Sequence, residues 1–161
     1  MSLLILTTGG TIDKVYFDAT SEYEVGEPTV PHVFREAGVT VDWRVESLFR
    51  KDSLELTDDD RAAIRRACEE APESRILITH GTDTMCQTAA VLAGIGGKTI
   101  VLTGALAPAR FRITDAVFNL GLALGAVQSL PSGVSIAMNG TVFPAGTVRK
   151  NRELGRFETV G

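Results

Sequence analysis

The chain has 161 residues, 44% of them hydrophobic and 22% charged, with a formal net charge of −4. One domain of this size buries about two-thirds of the surface its unfolded chain would expose; its composition excludes a disordered tail and a collagenous chain, and its net charge disfavours a polyanion partner. No apolar run reaches the ~18 residues that span a bilayer, and residues 1–8 lack the basic start and cleavage site of a signal peptide, so neither nucleic acid nor membrane is an expected partner and the expected location is cytoplasmic.

Taken in chain order, residues 3–6 form a continuous apolar run and read as a first strand, ending in Thr7-Thr8-Gly9-Gly10. Residues 13–27 show no clean period. They hold Tyr16, Phe17 and Tyr23 with Asp18, Glu22 and Glu24, and read as a long loop acting as a lid, the alternative being a helix or hairpin without a sequence signal. Pro28, Thr29 and Pro31 open a short helix carrying Val33 and Phe34. Val39, Val41, Trp43 and Val45 then alternate on one face of a second strand. Thr57 is a predicted N-cap, with Asp58, Asp59 and Asp60 favouring the positive end of the helix dipole. Ile64, Ala67, Cys68 and Ala71 mark the buried face of that helix.

Short apolar strands at 76–78, 100–102 and 134–138 alternate with a helix carrying Met85, Thr88, Ala89 and Leu92 and a Leu/Ala-rich helix over 115–127. The fold class is therefore α/β: a doubly wound three-layer sandwich with a mainly parallel sheet in flavodoxin-like order. Asn139-Gly140 and Ala145-Gly146 mark turns, so 141–143 and 147–149 are expected to pair as a C-terminal hairpin extension. The polar tail from Arg152 is expected to fray.

Rare residues narrow the chemistry. Cys68 and Cys86 lack CxxC spacing and sit in helical patterns, as two buried thiols of a reducing compartment would. The only histidines are His32 and His80, zinc spacings are absent, and no G-x-S-x-G elbow occurs. Catalysis, if present, rests on Thr, Ser, Asp, Lys or Tyr.

In the 2-1-3-4-5 strand order, the ligand crevice lies between the C-terminal ends of the first and third strands. Thr8-Gly9-Gly10-Thr11-Ile12 and Thr79-His80-Gly81-Thr82-Asp83-Thr84 should face each other there. Glycines let the backbone turn sharply and leave N–H groups open to an oxyanion, while Thr11 offers a hydroxyl that needs a base or relay. Either loop alone is also compatible with a plain tight connection or a helix start. Neither matches a dinucleotide or P-loop spacing.

These two segments resemble the signature motifs of the bacterial-type L-asparaginase/glutaminase family. Thr103-Gly104-Ala105 followed by Pro108 resembles the family's Gly-Ala-Met-Arg-Pro loop, and Phe118-Asn119-Leu120 a Phe-Asn-Leu after it. Residues 139–150 resemble the stretch ending in its catalytic lysine, and Ser21-Glu22-Tyr23-Glu24-Val25-Gly26 its mobile tyrosine-bearing loop. The resemblance implies Thr11 as nucleophile, Tyr23 assisting it, and Thr82, Asp83 and Lys150 as a relay that also binds substrate. It further implies substrate contacts from Gly10, from Ser53 to the α-carboxylate, and from the Ala105 carbonyl to the side-chain amide. No cofactor or metal is implied, because amide hydrolysis needs only a nucleophile, an oxyanion hole and a proton relay.

Two positions depart from the family pattern: Leu54 replaces a common glutamine and Ala107 a usual arginine. The resemblance covers the family's N-terminal catalytic domain, and its small C-terminal domain is expected to be absent here. The expected function is a single-domain asparaginase with an amino-acid substrate, preferring asparagine to glutamine, and a homo-oligomer, dimer or tetramer. The alternatives are a catalytically weak or inactive amino-acid-binding module, an amidase for another small side-chain amide, and, less well matched, a phosphate-using enzyme built on Gly9-Gly10.

Overall fold

The structure, a computed structural model, describes residues 1–17 and 22–160. Asp18 and Ser21, which belong to the predicted lid, lie outside the described residues. In chain order the elements are β1 (Ser2–Gly9), β2 (Lys14–Phe17), β3 (Glu22–Val25), α1 (Val30–Glu36), β4 (Asp42–Lys51), α2 (Asp58–Glu70), β5 (Arg75–Thr79), α3 (Met85–Leu92), β6 (Thr99–Thr103), α4 (Ala116–Ser129), β7 (Gly133–Met138), β8 (Thr141–Pro144), β9 (Val148–Asn151) and β10 (Arg156–Thr159).

Six strands form one sheet in the order β4-β1-β5-β6-β7-β8. The first five are mutually parallel, and β8 closes the edge antiparallel to β7. The expected doubly wound order is thus present, with its reversal between β1 and β5.

The period of two along β1 divides the core into two layers. Leu4 and Leu6 face Ile64, Cys68, Met85 and Leu92 of α2 and α3. Leu3 and Ile5 face Val30, Phe34, Leu120 and Ala123 of α1 and α4. A one-residue slip would exchange these faces, so burial on both sides fixes the register. Thr57 caps α2 as its sequence suggests. Its hydroxyl accepts from the Asp60 N–H and the Asp60 carboxylate from the Thr57 N–H, an arrangement worth about 1 kcal/mol.

Four expectations need correction. The irregular stretch 13–27 is not an open loop: a 3-10 turn over Thr11–Asp13 leads into an antiparallel hairpin of β2 and β3. Its β3 residues Glu22, Tyr23 and Glu24 are all exposed, so the strand carries no inward-outward alternation to read.

At the C-terminus, residues 141–143 and 147–149 do not pair with each other. Asn139 and Gly140, with φ of 53° and 70°, turn β7 into β8, and β9 pairs instead with β10. The tail therefore folds where fraying was expected. Phe157 is 3% exposed and packs with Val148 and Phe143, while its N–H donates to Asn139 Oδ1 at 2.7 Å. Burying one aromatic ring offsets the ordering of a short polar strand. Of the two thiols, both free, Cys68 is buried as expected but Cys86 only half-buried.

Candidate functional site

The crevice is assembled by backbone contact. Gly10 has φ 87°, and a Cβ there would lie 2.5 Å from the Gly81 nitrogen. A Cβ on Gly81 would in turn meet the Ser53 side chain at 2.6 Å. The loops after β1 and β5 and the segment after β4 thus touch through two positions that only glycine can occupy. Gly10 N–H also donates to Lys51 O at 2.9 Å, and Thr8 Oγ1 to Thr79 O at 2.8 Å.

His80 is fully buried and serves the loop's shape. Its Nδ1 meets Gly81 O at 2.6 Å and its Nε2 meets Thr88 Oγ1 at 2.7 Å. Burial lowers its pKa to about 4, so the ring is neutral, donating from Nδ1 and accepting at Nε2. It fixes where Thr82 and Asp83 emerge, ahead of α3.

Three predicted residues are already joined. Lys150 Nζ donates to Thr82 Oγ1 at 2.7 Å and to Asp83 Oδ1 at 2.8 Å. The lysine side chain is 15% exposed and the aspartate 28%, so the cluster is shielded but reachable. Arg152 adds a second cation 3.4 Å from the same carboxylate oxygen. Lys150 reaches this point because β9 is anchored by Phe157, its cross-strand partner on β10.

The other wall is looser. Thr11 is half-buried on the 3-10 turn after Gly10, and its hydroxyl makes no hydrogen bond among the described residues. Tyr23 is half exposed, its ring against Tyr16 at 5.4 Å and Phe111 at 5.7 Å. No hydrogen bond joins Tyr23 to Thr11 among the described residues.

Ser53 is buried, and its Oγ accepts from Thr84 N–H at 3.3 Å, keeping its own proton for a further acceptor. Thr84 Oγ1 returns a bond to Ser53 O at 2.8 Å. Ala105 is buried at the end of β6. Leu54, next to Ser53, is 63% exposed. Among the described residues no three His, Cys, Asp or Glu side chains are grouped to hold a metal ion.

Asp115, Asn119 and Asp13 support the site through bonds that no local sequence signal announces. Asp115, ahead of α4, accepts from the Leu106 N–H at 2.9 Å, the Ala107 N–H at 3.0 Å and Asn119 Nδ2 at 3.0 Å. Asn119 also donates to Gly104 O at 2.9 Å, so the pair holds both sides of the Ala105 turn. Asp13 is 1% exposed and accepts from Thr29 N–H at 2.9 Å and Thr29 Oγ1 at 2.8 Å, while Gly26 N–H donates to its carbonyl. It ties the base of the β2–β3 hairpin to the start of α1. Burial raises its pKa to about 6 against the Thr29 hydrogen bonds and the charges of Arg110 and Arg50. A Thr or Asp sixteen residues away leaves no local signature of such a bond.

The sequence matches the family profile described as "Asparaginase, N-terminal" over residues 2–158. The chain belongs to the asparaginase family. It is 31% identical to the L-asparaginase of Thermococcus kodakarensis over 96% of its own length and 49% of that protein's. It is 29% identical to L-asparaginase 2 of Escherichia coli, over 99% of this chain and 49% of that one. The solved structure of the thermostable Thermococcus kodakarensis L-asparaginase superposes with a TM-score of 0.83 at 28% identity, covering 99% of this chain and 51% of that one. A Campylobacter jejuni structure titled a probable cytoplasmic L-asparaginase gives 0.75 at 26% identity, covering 98% and 51%. The chain spans about half the length of the curated relatives it matches. No helix among the described residues is long and apolar enough to cross a membrane.

Proposed function

We propose that the chain carries the chemistry of a side-chain amidohydrolase, cleaving asparagine to aspartate and ammonia. The observation that supports this most is the Lys150–Thr82–Asp83 cluster, in which residues 67 and 68 positions apart meet at 2.8 and 2.7 Å at the ligand end of β5. A lysine held by both a hydroxyl and a carboxylate has a defined route along which to pass a proton.

Thr11 Oγ attacks the amide carbon. Its proton goes to the leaving nitrogen, with Tyr23 assisting, and the C–N bond breaks to release ammonia. Water, its proton taken through Thr82 and Lys150, then cleaves the acyl-threonine ester and restores the hydroxyl. The Gly10 N–H is already bound to Lys51 O, so the Thr11 N–H that follows it is the donor for the developing oxyanion. Ser53 Oγ, already accepting from Thr84, donates to the α-carboxylate. The Ala105 carbonyl accepts from the amide nitrogen, and Asp83 takes the substrate ammonium.

The relatives named L-asparaginase support the substrate class. Exposed Leu54 in place of a polar neighbour to the carboxylate favours the shorter substrate, asparagine over glutamine. The exposed side chains Leu106, Phe111, Ile113, Val117 and Phe118, between β6 and the first turn of α4, suit a homo-oligomer. The test is ammonia release from asparagine by the purified chain, with Thr11→Ala abolishing it. Release unchanged by Thr11→Ala removes Thr11 as nucleophile. A second reading, an amino-acid-binding module without turnover, rests on the lack of any hydrogen bond between Tyr23 and Thr11 among the described residues, with the Tyr23 ring against Tyr16 and Phe111 instead. Asparagine binding with no ammonia release at any enzyme concentration would select it.

A further inference from the structure

A cavity of about 900 Å³ lies outside the crevice, between α1, the end of β4 and the segment leading into α4. This is the size of a small-metabolite site. Pro28, Val33, Val45 and Val117 give it apolar walls, and Arg35, Arg50 and Arg110 line it. Among the described residues, neither Arg110 nor Arg35 forms a salt bridge. Arg50 has only a long one, to Glu27 at 3.9 Å, and Arg35 sits 5.8 Å above the Trp43 ring. Glu36 is engaged at the rim by His32 at 3.3 Å.

The cavity backs onto the Thr11 turn through three separate bonds. Ala109, in its wall, donates to Ile12 O at 3.0 Å. Thr29, also in its wall, donates to the buried Asp13 carboxylate. Arg50 precedes Lys51, whose carbonyl accepts from Gly10 N–H at 2.9 Å. These bonds connect the cavity walls to the backbone on either side of Thr11.

We propose that this cavity is a second binding site, for a small dicarboxylate with an apolar middle, and that its occupancy shifts the Gly10–Asp13 turn. Planar guanidiniums recognise carboxylates in pairs of parallel hydrogen bonds, and the apolar walls suit a short carbon chain. A phosphate is less well served: Pro31 removes an N–H from the first turn of α1, and the apolar lining by Pro28, Val33, Val45 and Val117 matches a carbon chain rather than a compact oxyanion. The inference is independent of the enzymatic reading, because it concerns binding and a conformational response.

The test is titration of the intact chain with glutarate, followed by amide NMR and calorimetry. Glutarate lacks the ammonium that Asp83 would hold. The expected result is saturable one-to-one binding with shift changes at Thr29, Val33 and Arg110, and then at Gly10 and Thr11. Arg110→Gln should weaken it roughly tenfold or more, the loss expected for a charged hydrogen bond. Arg35→Gln is a second variant should the first fold poorly, and Thr82→Val in the crevice should leave glutarate affinity unchanged.

No saturable change up to roughly 50 mM, or binding lost in Thr82→Val and kept in Arg110→Gln, would overturn the site. Equal affinity for inorganic phosphate would overturn the dicarboxylate assignment. Shifts that stop short of Gly10 and Thr11 would overturn the coupling. Glutarate binding without ammonia release would leave this site standing and remove the enzymatic reading; ammonia release without glutarate binding would do the reverse.

Discussion

On one wall of the crevice, three side chains from distant points of the chain are already joined; on the other, no hydrogen bond among the described residues joins the two hydroxyls of Thr11 and Tyr23. Lys150, Thr82 and Asp83 are held by bonds of 2.7 and 2.8 Å, on a strand anchored by Phe157 and a loop shaped by buried His80. Thr11 and Tyr23 ride on a 3-10 turn and a two-stranded hairpin whose β3 residues are mostly exposed. A two-stranded hairpin alone is marginally stable in water. On the proposed reading, the relay sits on preorganised structure and the nucleophile on the segment with fewer bonds to the body of the domain. A fixed electrostatic cluster needs no reorganisation at the moment of reaction, whereas a movable arm can admit substrate and then exclude water.

The largest expected effects come from breaking either wall. Lys150→Met should lower kcat for asparagine by about a thousandfold, and Thr11→Ala by at least as much. If both act on one reaction coordinate, the double variant should be little worse than either single one. Additive losses would separate the two walls functionally. Thermal melts should show both single variants folded, because neither side chain supports the core.

A second test asks whether the hinge of the loose wall titrates. Asp13 is buried and its pKa is raised from the ordinary 3.8 to about 6. The folded chain therefore holds that proton more tightly than the unfolded chain. The stability this contributes is fully present below pH 3.8 and is lost as pH rises through about 6, roughly 3 kcal/mol in total. Asp13→Asn should flatten that part of the stability–pH curve, measured by urea melts between pH 4 and 7. An unchanged slope in the variant would show that Asp13 is not the group responsible.

How much of this contrast was readable from the sequence depends on locality. The strands at 3–6, 76–78 and 100–102 are apolar throughout because both faces of the sheet are covered, and Thr57 with the acidic run behind it marks the N-cap of α2 within four residues. The β3 strand of the hairpin lacked a signal because Glu22, Tyr23 and Glu24 are all exposed. The β10 strand was hidden because one buried residue, Phe157, sets no period. Lys150, inside Arg149-Lys150-Asn151-Arg152, reads as a solvated lysine until the fold carries it to Asp83. Only the family resemblance singled it out. Asp13 and Asp115 act on backbone groups that become neighbours only in the folded chain.

The rigid wall has a supporting residue whose loss should be smaller. Asp115→Ala leaves the Leu106 and Ala107 N–H groups and one Asn119 N–H without their acceptor. The expected cost is about 2 kcal/mol of stability. Activity should fall chiefly through KM, as the Ala105 turn loses its position. Asp115→Asn retains one acceptor oxygen and should recover part of both. A kcat loss equal to that of Lys150→Met would instead put Asp115 in the relay itself.

The smallest effect probes where the movable arm rests. Tyr23 lies against Phe111 at 5.7 Å with the planes tilted by 58°, a geometry worth about 1 kcal/mol beyond area burial. Phe111 lies outside the hairpin, on the segment between β6 and α4, so this contact ties the arm to the body of the domain. If it holds the arm away from Thr11, Phe111→Ala should free the hairpin and raise the amide exchange of residues 22–25. The cost in global stability should be small, because Phe111 is already 42% exposed. The effect on kcat should stay below about tenfold in either direction. Tyr23→Phe keeps the ring contact and removes only the hydroxyl, so it should leave exchange unchanged and slow turnover more than Phe111→Ala does. The reverse order would mean that the ring's resting place, and not its hydroxyl, is what the loose wall contributes.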